Sequence, residues 1–96
     1  MFNLNEYELV EDRLREFWKE NPDGRIETQV LEYRGDSVVI MARIFRTEAD
    51  PHAWATGIAQ ECKGDLGRMS KSFVEICETS AIGRALANAN YAAKGK

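Results

Sequence analysis

Soft metal ligands are scarce in this chain: among 96 residues there are two cysteines and one histidine. Cys62 and Cys77 stand fifteen positions apart with only His52 to join them. A zinc site needs about four ligands, usually in close pairs, and a disulfide-stapled domain is denser in cysteine. No metal is expected, and both thiols are expected reduced, as in a cytoplasmic protein. Long apolar runs are also lacking. The longest, Val38 to Ala42, is far short of the roughly 20 residues that cross a bilayer. The first twenty residues are acidic, not a basic start followed by an apolar middle, so neither a membrane span nor a secretion signal is recognisable. What remains is 44% apolar and 30% charged, an ordinary globular balance, in one domain over residues 1–96 with no room for a second core.

A catalytic constellation is missing as well. His52 follows Asp50-Pro51 with no serine or cysteine in a nucleophile context, which reads as a solvated loop histidine. The pair Gly64-x-x-Gly67 lacks the Lys-Ser/Thr that completes a phosphate loop, and no dinucleotide fingerprint occurs. Glu75 and Glu78 fall on an exposed helix face. The chain is expected not to be an enzyme and to need no cofactor.

The formal charge of −3 hides a gradient. Residues 1–36 hold five Lys/Arg against ten Asp/Glu, a net −5, whereas residues 63–96 hold six against three, a net +3. An anionic partner would meet the carboxyl-terminal third.

Periodicity divides the chain into five elements. Tyr7, Val10, Leu14, Phe17 and Trp18 recur at spacings of three and four and predict a helix over 6–20. Asn5 and Glu8 offer a capping box, and Leu4 a staple against Leu9. The stripe needs a sheet to lie on. After the Asn21-Pro22-Asp23-Gly24 break the period changes to two, and a sheet is expected over 25–61. Its strands start at Arg25, span Val38 to Arg46, and span His52 to Glu61. The middle strand is apolar on both sides and so expects at least partial cover on both. In the third, Ala53, Ala55, Gly57 and Ala59 form a small-residue face. A second helix, 71–89, starts at the Ser72-x-x-Glu75 capping box and ends at Asn90, a residue tolerant of the left-handed conformation. Thr79, Gly83 and Ala87 lie four apart and are the expected counterpart of that small face. The fold class is α+β, in the order α-β-β-β-α: a three-stranded antiparallel sheet with a long C-terminal helix packed on it.

The segment from Glu78 to Tyr91 carries Thr79, Arg84, Ala85, Leu86 and Tyr91. In these positions the sequence resembles the Erf-like and Rad-fifty-two-type single-strand DNA annealing proteins, whose core helix reads Thr-x-x-x-x-Arg-Ala-Leu and then reaches a turn near an aromatic residue. Gly83 departs from relatives with a lysine there, and Asn90 from the usual glycine. The resemblance implies an ATP-independent, phage-derived protein of DNA recombination and repair that binds single-stranded DNA and anneals strands as a homo-oligomeric ring or filament, beside a possible phage exonuclease.

A groove that holds phosphates without reading bases needs cations on rigid elements. Arg84 on the second helix, with Arg43 and Arg46 on the central strand, is the expected set, and Lys63, Arg68 and Lys71 add to it. Trp54 and Phe45 could stack on bases, although core packing is their ordinary role. Two other readings fit the element order. One is a double-stranded-RNA-binding-like domain, of whose lysine cluster Lys63, Arg68 and Lys71 are a thin version. The other is an assembly or inhibitor module in which the charge gradient attracts neighbouring subunits. Oligomers are also expected from the two open edges of a three-stranded sheet.

Overall fold

The computed structural model describes residues 4–91, with side chains from Leu9 onward. Helix α1 (Leu4–Glu20) is followed by strands β1 (Arg25–Tyr33), β2 (Ser37–Phe45) and β3 (Ala55–Cys62), and by helix α2 (Phe73–Asn88). The strands form one antiparallel sheet in the order β1-β2-β3. The α+β order expected from periodicity is the order observed. Asn5 lies inside α1, not ahead of it. The capping box of Asn5 and Glu8 and the Leu4 staple rest on side chains outside the described ones, as does the place of Tyr7 in the stripe.

The sheet has one covered face. Val38, Ile40, Ala42 and Ile44 of β2 are buried, and they share a core with Phe17 of α1 and with Phe73, Cys77, Ala81, Ala85 and Leu86 of α2. Burying a side chain the size of Ile44 or Leu86 contributes about 1.5–3 kcal/mol. On the opposite face Val39, Met41 and Arg43 are half-buried, sheltered only by their neighbours on β1 and β3. With Phe45 buried at the end of that face, the partial cover expected on both sides of β2 is present, complete on the helical side and partial on the other. Both helices lie on one side.

The small face of the third strand is real, but its counterpart is not the expected one. A Cβ on Gly57 would come within 2.7 Å of Ala81 O and closer still to Ala85 N, so the α2 backbone rests directly on β3. The helix face that does this is Cys77-Ala81-Ala85. Gly83 turns instead to α1, where its missing Cβ leaves room for Val10 Cγ2 at 2.5 Å, and Ala87 is exposed. The α1 stripe accordingly lies chiefly on α2, and Arg13 Nη1 donates to Gly83 O at 3.0 Å.

The ends of α2 follow different rules. At the C-terminus Asn90 adopts φ 76°, Tyr91 N–H donates to Leu86 O at 2.8 Å and Asn90 N–H to Ala87 O at 3.0 Å. This is a Schellman motif, with asparagine where glycine is usual. At the N-terminus Ser72 makes no side-chain cap. The chain arrives instead through two 3-10 turns, Lys63–Asp65 and Gly67–Ser72, so α2 begins at Phe73, two residues later than the expected start at 71, with Ser72 in the N-cap position. Trp54 precedes β3 and does not form part of it.

Candidate nucleic-acid interface

The expected cations do not share a groove. Arg43 stands on β2 opposite Glu27 and Thr56, on the uncovered face of the sheet, and its Nη2 donates to Gln29 Oε1 at 2.9 Å. Arg84 is exposed on α2, in the layer on the other side. Arg46 lies over the Trp54 ring, 3.8 Å from the centroid. A phosphate track through all three would have to pass around the sheet.

At the Arg46 end the aromatics serve packing. Trp54 meets the Tyr91 ring edge-on at 5.8 Å, and Tyr91 meets Phe17 in the same manner. Tyr91 Oη donates to Glu20 Oε1 at 2.8 Å and accepts from Asn21 Nδ2 at 3.0 Å. Burial, and then the bond to Glu20, push the Tyr91 phenol above its ordinary value. Phe45 is buried beneath the Arg25 guanidinium, 3.8 Å away. Stacking of bases on Trp54 or Phe45 would require displacing these cations. The adjoining groove, about 960 Å³, mixes Arg13, Arg15, Lys19 and Arg46 with Asp12, Glu16 and Glu20, and Arg15 is already taken up by Asp12, so the groove offers a polyanion little net positive charge.

Lys63, Arg68 and Lys71 stand apart from this end. They fall within nine residues on the connection from β3 into α2, and all three are exposed. Among the described residues the ion pairs join Arg15 to Asp12, Arg25 to Glu27 and Arg34 to Glu32, and none uses these three. The connection is held at both ends. Lys63 N–H donates to Asp36 O in the β1–β2 turn at 2.7 Å, and Lys63 Nζ lies 5.9 Å from the Phe73 ring centroid. Phe73 in turn stacks on Tyr33. The β1–β2 turn, made by Gly35 at φ 84°, thus sits beside Lys63, with Arg34, paired to Glu32, on it. Sequence reasoning passed over Arg34. Its signal was the Arg-Gly-Asp turn, which the strand register brings next to residue 63.

The cysteines take no part in this site. Both are free thiols; Cys77 is buried, with Sγ 3.3 Å from Ala59 O, and burial pushes its thiol up. Among the described residues no group of three or more His, Cys, Asp or Glu is placed to hold a metal, and no helix among them is long and apolar enough to cross a membrane.

A family described as Slr1353 N-terminal dsRNA-binding domain-like matches residues 14–89. The chain belongs to that family. The match takes in all three strands and the whole of α2, and it corrects the resemblance carried by the Glu78–Tyr91 segment: the chain is not a member of the Erf-like or Rad-fifty-two-type annealing proteins. The single-strand annealing, recombination and phage assignments fall with that resemblance. The physical reason is visible in the motif. Ala85 and Leu86 are both 0% exposed, so Arg-Ala-Leu records a helix packed closely on a three-stranded sheet, a need shared by unrelated folds. Searches of curated proteins and of solved structures find no match. The dsRNA-binding-domain-like family also agrees with the arrangement seen here, two helices on one face of a β1-β2-β3 meander.

Proposed function

We propose that this domain binds double-helical RNA through its sugar-phosphate backbone, at the end of the fold formed by Lys63, Arg68, Lys71 and the β1–β2 turn. The observation that carries this reading is three exposed cations, without ion pairs, gathered on the connection into α2. Such cations hold phosphates by charge and read no base edge, which suits an A-form helix whose major groove is too narrow for side chains. The family description supports RNA as the nucleic acid.

The same charges limit the contact. The solvent face of α1 carries Glu11, Asp12 and Glu20, and Arg15 is taken up by Asp12 at 2.6 Å. A duplex laid along α1 would meet net negative charge, so the contact is one-ended and falls steeply with salt. The domain is a binding module without a catalytic step.

The test is competition for the full chain among duplex RNA of about 16 base pairs, the span of a double-stranded-RNA-binding domain, duplex DNA of the same sequence, and the separated RNA strands. Preference for duplex RNA is expected. Equal binding of all three would reduce the site to a general cation cluster, and no binding at low salt would remove it.

A further inference from the structure

The sheet has two edges, and they differ. β1 carries Arg25, Glu27 and Glu32 and is interrupted by a bulge between Val30 and Glu32, features that discourage a further strand from pairing. β3 lacks the bulge and most of the charge, although Asn88 Nδ2 of α2 covers one of its outward carbonyls, that of Thr56. The strand runs in unbroken register against β2 from Ala55 to Cys62, without proline and with Glu61 as its one charge.

Two hydrogen bonds set the phase of its backbone. Lys63 N–H donates to Asp36 O, which puts the ladder bonds to β2 on the odd-numbered residues. The Thr56 carbonyl is turned outward, where Asn88 Nδ2 donates to it at 2.7 Å. The amides and carbonyls of Ile58 and Gln60 therefore point away from the sheet. Ile58 is 53% exposed on the face that neither helix covers.

We propose that β3 pairs antiparallel with β3 of a second copy of this chain, about a two-fold axis at Ile58, to make one six-stranded sheet. The strand is self-complementary in that register. Ile58 faces Ile58 of the second copy, Thr56 faces Gln60, and Glu61, the one charge, faces the small neutral Ala55. The pairing exchanges one bond of the single chain: Gln60 N–H of the second copy takes the Thr56 carbonyl that Asn88 Nδ2 otherwise holds. The α2 backbone crosses Gly57 at Arg84, whose carbonyl carbon lies 2.8 Å from where a Gly57 Cβ would be. Arg84 is exposed there, two strand positions from the Ala55 that meets Glu61 of the second copy. Opposite charges thus meet on the helical side of the seam, and isoleucines on the other. The axis also sets the two Lys63–Lys71 ends at opposite ends of the dimer.

Sedimentation of the full chain at roughly 50 µM, a fixed concentration because dimer mass is concentration-dependent, should give twice the mass of one chain. Ile58→Lys puts like charges on the axis and should give a monomer with an unchanged melting curve, since the residue is exposed. Arg84→Glu, which sets acid against Glu61, should shift the same equilibrium toward monomer, whereas Leu31→Lys on β1 should leave the dimer intact. In a Cys62→Ser background, Ile58→Cys should oxidise to a covalent dimer, because residues facing each other across such a pair have Cα atoms about 5.5 Å apart. A monomeric parent chain, a dimer that survives Ile58→Lys, or one abolished by Leu31→Lys overturns the proposal. A dimer indifferent to Arg84→Glu overturns the register.

Discussion

Gly57 and Ala85 are in backbone contact: a Cβ on the glycine would press directly on the alanine amide nitrogen, with Ala81 O at 2.7 Å on its other side. Neither atom belongs to a side chain that could swing away. Gly57→Ala should therefore destabilise by about 1–3 kcal/mol, the usual cost of overpacking. Gly64→Ala, with open space around it, should stabilise by about 0.4–1 kcal/mol through the unfolded chain. Urea midpoints of the two variants check this. A neutral Gly57→Ala would mean that α2 stands off the sheet.

Gly83 is close-packed on a side chain, which gives a different expectation. Alanine there gains about 1 kcal/mol of helix propensity but meets Val10 Cγ2 at 2.5 Å. Alone, Gly83→Ala should be destabilising. In a Val10→Ala background the methyl group is gone, and the same change should stabilise. A double-mutant cycle showing no coupling between the two sites would contradict the α1–α2 contact.

Much of the fold was legible; element starts slipped by a few residues, and the larger miss was one of faces. The change of period at Arg25, the break at Asn21-Pro22-Asp23-Gly24 and the asparagine cap of α2 are local signals, and each element appears within a few residues of where they put it. Which face of α2 meets β3 was not legible, because small residues occur on two of its faces. Cys77, Ala81 and Ala85 accept the sheet, and Thr79 and Gly83 lie toward α1. Spacing cannot rank two small stripes. The candidate site suffered similarly. Arg43, Arg46 and Arg84 looked alike as cations, and only the register separates one on the open face, one stacked on Trp54 and one over the β3 edge. Lys63, Arg68 and Lys71 were legible as a cluster because they are close in sequence.

Two weak acids held in the fold predict an alkaline limit. The Cys77 thiol is raised above its ordinary 9.0 by burial, and the Tyr91 phenol above its ordinary 10.0 by burial and by Glu20. The folded state holds both protons more tightly than the unfolded chain. Stability is therefore complete below about pH 9 and falls as pH rises past the ordinary values toward the raised ones. Denaturant midpoints between pH 7 and 10.5 should fall only at the upper end. Cys77→Ala should flatten the first part of that decline and leave the part due to Tyr91.

The central claim is that Lys63, Arg68 and Lys71 hold the phosphates of an RNA duplex. The most direct measurement is the slope of log affinity against log salt for duplex RNA, compared between the parent chain and a variant with all three changed to alanine. Each phosphate that the protein no longer neutralises lowers the magnitude of that slope by roughly 0.9, so the variant should bind more weakly with a slope smaller by roughly 2–3, and with its melting curve unchanged. The paired variant Arg43→Ala, Arg46→Ala should keep the parent slope. A triple variant that binds duplex RNA with the parent's affinity and slope would contradict the account.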